Sequence, residues 1–278
     1  MNILPGALYV VATPIGNLDD ITLRAKQVLQ NVDLVAAEDP SHTRTLLSQY
    51  GLRADLVALH QHNEDAQVPF ILSKAQAGAS IALVSDAGTP LMSDPGFRLV
   101  SAAREAGIRV IPVPGACAAI AALSVAGLPT DRFSFEGFLP AKPKARREKI
   151  AQLAAEPRTM VFYESTHRIV DSLRAMVETF GPDRRGSIAR ELTKLFETVT
   201  TTTLSELLAM TEADPNAQKG EFVVMVQGAE DNTDAILREG QRVHALLREH
   251  LPPSTAAKLA AEITGAPRKA LYTSSGSA

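Results

Sequence analysis

The stretch ALYVVATPIGNLDDITLRA (7–25) reads as a buried strand, a bend and a capped helix. The run 7–12 (ALYVVA) is apolar without alternation, as a strand covered on both faces is. Beyond the bend, Ile21, Ala25, Val28 and Leu29 share one helical face over 20–30, with Asp20 placed to cap. The same unit recurs down the chain. Further apolar runs lie at 33–37, 56–59, 80–84 and 108–113. Helical patterns at 41–50, 65–77, 95–106 and 116–126 separate or follow them, and each ends at a glycine: Gly51, Gly78, Gly107 and Gly127. Strands alternating with helices need crossover connections, so residues 1–127 form an α/β domain on a mainly parallel sheet.

Residues 128–230 read as a second α/β domain with a mixed sheet. Strands fit 133–137, 158–163, 186–190, 195–202 and 221–227, and helices fit 144–155, 166–179 and 204–212. The short connection within 186–202 favours an antiparallel pair. GAEDNT (228–233) has the composition of a linker. Residues 234–278 form a small helical segment. There, STAAKLAAEITGAPRKALY (254–272) starts a helix at Ser254, turns at Gly265 and starts a second helix near Pro267. A helix-turn-helix and a plain packing bundle both fit this pattern, and the tail TSSGSA reads as frayed. The expected architecture is two α/β domains with a cleft between them, plus the helical segment.

Composition narrows the function. The 278 residues carry a net charge of −3, so no overall basic field draws in nucleic acid; such a partner must be met by local patches. A single cysteine, Cys117, suits a reducing compartment and excludes a disulfide framework within the chain. The start, MNILPG, has no signal-peptide pattern. The longest mostly apolar stretch, ACAAIAALSVAGL (116–128), falls short of the roughly 20 residues that span a bilayer. These features point to a cytoplasmic protein without a membrane partner.

The chemistry collects at one sheet edge. The five strands of the first domain are followed by TPIGNLDD, EDPSHTR (38–44), HQHNED (60–65), SDAGTPLMSDPG (85–96) and PGACA (114–118). In a parallel sheet all these loops leave the same edge, where open α/β sheets bind ligands. The bend TPIGN has one glycine and no Lys, so it is neither a P-loop nor a Gly-rich dinucleotide turn. The fourth loop packs two Asp, two Pro and two Gly into 12 residues. It has no cation before Arg98, so a polyphosphate fits it poorly. A cationic or amphipathic ligand fits better, with Asp86 or Asp94 as acceptor.

Other groups have plainer readings. His60 and His62 share a face on an extended strand, but no matching cluster completes a metal site with Glu64, so no metal is expected. Cys117 opens a helix of small residues and reads as packing. No G-x-S-x-G is present, so a hydrolase elbow is absent. FLPAKPKARREK (138–149) carries Lys142, Lys144, Arg146, Arg147 and Lys149 and is the best candidate for a phosphate-backbone contact. YESTHR (163–168) and ARELTK (189–194) each set acid beside base after a strand, either lining the cleft or pairing with each other.

Nine stretches follow one another in the order and spacing of one family: LYVVATPIGNLDDIT, AAEDPSHTRTLL, LHQHNE, LVSDAGTPLMSDPG, VPGACAAIAAL, FEGFLP, FYESTHR, ARELTKLFE and GEFVVMV. From about residue 7 to 272 the chain resembles the bacterial small-subunit rRNA cytidine-2′-O-methyltransferases of the tetrapyrrole methylase superfamily. SDAGTP with EDPSHTR points to the rRNA enzymes within it. Two departures stand out: EDPSHTR is the longer variant of its motif, and RKALY replaces the usual Lys-Asn before the final Leu-Tyr.

The resemblance implies S-adenosylmethionine in the cleft, usually in a homodimer. It also implies methylation of a ribose 2′-hydroxyl on a decoding-centre cytidine of 16S rRNA, within the small ribosomal subunit. Pro14, Ile15, Gly16, Ser85, Asp86, Ala87, Ala116, Cys117 and Ala118 would surround the cofactor. Tyr163, Glu164 and Leu192 would reach it from the second domain. Glu38, Asp39, His62 and Glu64 are unranked candidates for a base, and positioning alone could suffice. Arg44, Arg168 and Arg190 would hold phosphates around the ribose. The rival expectations are a tetrapyrrole (porphyrinogen) C-methyltransferase, which has no use for 138–149, and a non-catalytic nucleic-acid-binding regulator.

Overall fold

The structure is a computed structural model and describes residues 2–229 and 233–273. Residues 230–232 of the expected linker and the tail from 274 onward lie outside the described residues. Five strands, β1 (Leu8–Val11), β2 (Leu34–Ala37), β3 (Leu56–Ala58), β4 (Ile81–Val84) and β5 (Val110–Val113), form a wholly parallel sheet in the order β3-β2-β4-β1-β5. The helices between them are α1 (Leu23–Asn31), α2 (Pro40–Gln49), α3 (Glu64–Gln76) and α4 (Phe97–Glu105). Alternation along the strands builds two cores. Tyr9, Val11, Val35 and Val84 pack against Ala25, Val28, Leu29 and Leu47 on one face. Leu8, Ala36, Ile81 and Leu83 pack against Ile71, Leu99 and Ala103 on the other. Burial on both faces is why these strands read as unbroken apolar runs.

The connection from β1 runs one way across the sheet and that from β4 runs the other, so a crevice opens between their carboxyl ends. An isolated bridge stitches its base: Thr13 N donates to Gly88 O (2.9 Å) and Gly88 N to Thr13 O (3.1 Å). One helix start differs from the sequence reading. Leu18–Asp20 close a 3₁₀ turn, and Thr22, not Asp20, caps α1 by accepting from Ala25 N at 3.0 Å.

After α5 (Ala118–Val125) comes a second sheet of β6 (Phe133–Phe138), β7 (Thr159–Ser165), β8 (Arg185–Arg190), β9 (Thr198–Thr203) and β10 (Glu221–Val226). Its order is β6-β7-β10-β8-β9; β6 and β7 are parallel and the other pairs antiparallel. β9 begins at 198 rather than 195, because 191–197 form a loop with Glu191 and Thr193 in the left-handed region. Helices α6 (Pro143–Gln152), α7 (Ile169–Phe180) and α8 (Leu204–Ala213) cover one face over Met160, Phe162, Ile188 and Val224.

Contacts divide the chain into two compact units. The first runs to Ala154 and resumes over Arg158–Gln227; the second takes Ala155–Pro157 and the described residues from Gly228 onward. Both sheets fall within the first unit, on either side of the boundary expected near 127. They are joined by α5, which packs Ala119, Ala122, Leu123 and Ala126 onto Val161, Ala189, Val223 and Met225 of the second sheet. Alanines bring that helix close and lock the two sheets together.

The second unit holds α9 (Thr233–Arg248), α10 (Pro253–Thr264) and α11 (Arg268–Thr273) around Ala257, Ala260, Ala266 and Leu271. Gly265 (φ 74°) ends α10 in a left-handed cap, as the sequence indicated. Among the described residues no helix is long and apolar enough to cross a membrane.

Candidate active site

The carboxyl edge of the first sheet faces the second sheet across a cavity of about 410 Å³. Ile15 follows β1, Glu38 follows β2, the loop after β4 supplies Asp86–Thr89 and Met92–Asp94, and Ala118 opens α5. The opposite wall comes from Phe138, Tyr163–Ser165, Ala189, Leu192 and Gly220–Val223. Three carboxylates from the first sheet face this space, and no Lys or Arg is among its lining residues.

The loops that shape the cavity are tied to one another. Asp39 N donates to Asp86 Oδ1 (3.1 Å) and Asp86 N to Glu38 Oε2 (3.4 Å), joining the turns after β2 and β4. Thr89 Oγ1 donates to Ala116 O at 2.9 Å, joining the turns after β4 and β5. Leu91 (φ 73°) and Ser93 (φ 72°) hold left-handed backbone in this loop, a strain that side-chain-bearing residues adopt at a cost. Gly16 lies against the 192–194 segment. A Cβ there would sit 2.5 Å from Lys194 Cγ and 3.1 Å from Leu192 O, so any side chain would push the two walls apart.

Burial sets the electrostatics. It pushes Glu38 above the usual carboxylate range, aided by the negative charges of Asp86 and Asp39 and opposed by the Asp86 N–H and by His60. Burial likewise pushes Asp94 up to about 6, with Glu38 and Asp86 adding to the rise and Ser85 opposing it. Tyr163 is pushed up to about 12, so it is a neutral phenol whose oxygen accepts from Ala119 N at 3.2 Å.

The Asp94 shift has a stability consequence. A carboxyl raised in the folded state stabilises the fold below its unfolded pKa, near 3.8, and that contribution is lost as pH rises through about 6. Asp94→Asn removes this dependence. Its stability relative to the parent is expected to improve by on the order of 1 kcal/mol between pH 4 and pH 8. Thermal melts at the two pH values check this; an unchanged difference between the two proteins would refute the assignment.

The structure sorts the residues singled out from the sequence. Ile15, Asp86, Ala87, Ala118, Tyr163, Glu164 and Leu192 line the cavity. Pro14, Gly16, Ser85, Ala116 and Cys117 do not; they belong to the turns that carry the wall. Of the four base candidates only Glu38 lines it. Asp39 caps α2 by accepting from Ser41 N and His42 N. β3 is an edge strand, and no residue of the loop that follows it is among the cavity's lining residues. His62 is exposed, and buried Glu64 accepts from Gly96 N at 2.8 Å.

The basic residues also divide. Arg44, Lys142, Lys144 and Arg147 are exposed. Arg146, expected at a phosphate, is only 4% exposed; it lies on the inward face of α6 with Ile150 and pairs with Asp171 at 3.2 Å. Lys149 pairs with Glu136 at 2.9 Å, and Arg168 with Glu164 at 3.0 Å. Arg190 donates to Lys219 O (2.6 Å) and Phe196 O (3.3 Å). The acid–base pairs after β7 and β8 are thus ion pairs, and Glu164 lines the cavity as well.

Sequence reading missed Gly220–Val223 and Phe138, while Ser165 and Ala189 fall in the two stretches expected either to line the cleft or to pair. The β10 residues read only as a strand and a stretch shared with the family, and nothing in their spacing reveals that β10 inserts between β7 and β8.

Residues 7–208 match a family model described as tetrapyrrole (corrin/porphyrin) methylases, and residues 234–273 match one described as the RsmI C-terminal HTH domain. The ribosomal RNA small subunit methyltransferase I of Xylella fastidiosa (strain Temecula1) is 60% identical over 268 residues, covering 96% of this chain and 98% of that protein. The protein of the same name in Escherichia coli O157:H7 is 55% identical, covering 96% and 93%. Among solved structures, a cobalt precorrin-4 methyltransferase of cobalamin biosynthesis superposes with a TM-score of 0.58 at 17% identity, covering 80% of this chain and 95% of that one. A uroporphyrin-III C-methyltransferase from Thermus thermophilus, complexed with S-adenosylhomocysteine, gives 0.53 at 18% identity, covering 79% and 96%. At these identities the structural likeness speaks for the fold.

Proposed function

This chain belongs to the tetrapyrrole methylase family, and from that premise we propose that it uses S-adenosylmethionine to methylate the ribose 2′-hydroxyl of a decoding-centre cytidine in 16S rRNA. The observation that carries this reading is the similarity to the small-subunit rRNA methyltransferases, which spans the helical segment as well as the two sheets. A small tetrapyrrole substrate gives that segment no work.

The cavity fits the methyl donor. Glu38, Asp86 and Asp94 face it and no Lys or Arg is among its described lining residues, which suits a ligand bearing a sulfonium and an ammonium and no phosphate. Ala118 and Ala189 are small, and with Leu192 and Val223 they offer apolar surface to a flat ring. Bound there, S-adenosylmethionine supplies a methyl group already activated on sulfur. The chain's own work is then to align a ribose oxygen, keep bulk water out, and take a proton. Glu38 is placed for the last task, because its raised affinity for protons makes Oε1 or Oε2 a better acceptor at neutral pH.

The exposed cations at the start of α6 would meet the phosphate backbone. Replacing Lys142, Lys144 and Arg147 together with Gln is expected to weaken RNA association and lower its logarithmic salt dependence by about 2. Donor binding should stay the same. Salt titrations of both affinities check this, and equal losses for RNA and donor would refute the assignment.

The reading itself is tested by supplying labelled S-adenosylmethionine with small ribosomal subunits from cells lacking this gene, beside a porphyrinogen control. Label is expected in the rRNA and not in the tetrapyrrole. The opposite pattern selects the C-methylase, and donor binding without turnover on either selects a regulator.

A further inference from the structure

Phe138 lines the cavity and is 51% exposed, so its ring is open to a ligand at the cavity rim. Its position is built rather than incidental. Between Phe135 and Gly137 the register of β6 on β7 shifts by one residue, with Gly137 in the left-handed region (φ 66°). Such a bulge re-aims the side chains that follow it. Phe138 consequently pairs with Tyr163, where an unbroken register would set Gly137. Both Phe135 (4.9 Å, 71°) and Phe138 (5.6 Å, 63°) present edge contacts to the Tyr163 ring.

Arg168 stands over Phe138 with its guanidinium carbon 5.9 Å from the ring centroid. It is held there by Ser165 Oγ (3.0 Å), Leu139 O (3.1 Å) and Glu164 (3.0 Å). The ring is therefore fixed at the cavity rim, beside a cation and across from Glu38 and Asp94.

We propose that Phe138 is a stacking platform for the nucleobase of the nucleotide whose ribose enters the cavity. This rests on the reading that the substrate is RNA. Unpaired RNA bases are recognised by stacking on aromatic rings and Arg planes. Such stacking tolerates any base, so the platform selects an unstacked nucleotide and leaves base identity to other contacts. It also explains why a ring this large stays half in water: the substrate covers it.

The test compares Phe138→Ala, Phe138→Leu and Phe138→Trp with the parent on small ribosomal subunits. Removing one base–aromatic stack is expected to lower kcat/KM roughly 5- to 100-fold in the Ala and Leu variants. The Trp variant should stay within about threefold, and in the Ala and Leu variants donor affinity should fall far less than kcat/KM. Full activity in the Leu variant, or a matching loss of donor affinity, would overturn the platform. If the parent labels subunits and the Ala variant does so equally well, this inference fails alone. If the parent labels no RNA, the reading beneath it fails.

Discussion

Glu38→Gln is expected to slow methyl transfer by roughly 100- to 10,000-fold, the usual worth of a positioned acid or base. Glu38 is the candidate that reaches the cavity, while Asp39 and Glu64 are committed to backbone N–H groups. Gln has nearly the same shape and can keep the Asp86 N–H contact, so the loss should fall on the chemical step. The pH profile gives a second readout. Burial and the charges of Asp86 and Asp39 raise the Glu38 pKa, so the parent loses activity on the acid side as the carboxylate takes up a proton. The Gln variant should lack that limb. Single-turnover rates across pH check both points, and a Gln variant within threefold of the parent would leave positioning as the whole mechanism.

The second large effect concerns stability. Glu164 is 3% exposed, accepts from Ser165 N (2.8 Å) and Ser172 Oγ (2.5 Å), and pairs with Arg168 at 3.0 Å. Glu164→Ala leaves both donors without their acceptor and the guanidinium with only the neutral oxygens of Ser165 and Leu139. Breaking a buried pair costs about 3–5 kcal/mol, and the partial exposure of Arg168 reduces this to about 2–4 kcal/mol. At roughly 2–4 °C per kcal/mol for a chain of this class, Tm should fall by about 5–10 °C. Adding Arg168→Leu to Glu164→Ala should recover part of the loss, since the unpaired cation is then gone. Calorimetry of the three proteins decides it. A single variant melting within about 1 °C of the parent would mean that the pair contributes nothing.

The first sheet was legible because physics repeats itself there. The three inner strands are buried on both faces, helices lay apolar residues on them, and polar loops gather at one edge while glycines close the other. The second sheet was legible strand by strand but not in its order, because β10 pairs across more than fifty residues with β7, and no local pattern encodes that. The same gap hid the part of the cavity wall formed by Gly220–Val223. Arg146 is a different kind of miss. It lies four residues before Ile150 on the same helical face, a spacing that marks it as inward, yet the density of neighbouring cations made the whole stretch look solvated. Asp20 and Thr22 both satisfy the rules for a helix cap, and only the 3₁₀ turn at Leu18–Asp20 decides between them.

The most direct measurement is nucleoside mass spectrometry of 16S rRNA from small subunits of cells lacking this gene, before and after incubation with the protein and S-adenosylmethionine. The expected result is one new 2′-O-methylcytidine per rRNA, which forms at least about 100-fold more slowly with Glu38→Gln and persists with Asp39→Asn. A methyl group on a base atom, or an rRNA without any new methyl group, would contradict the proposed reaction.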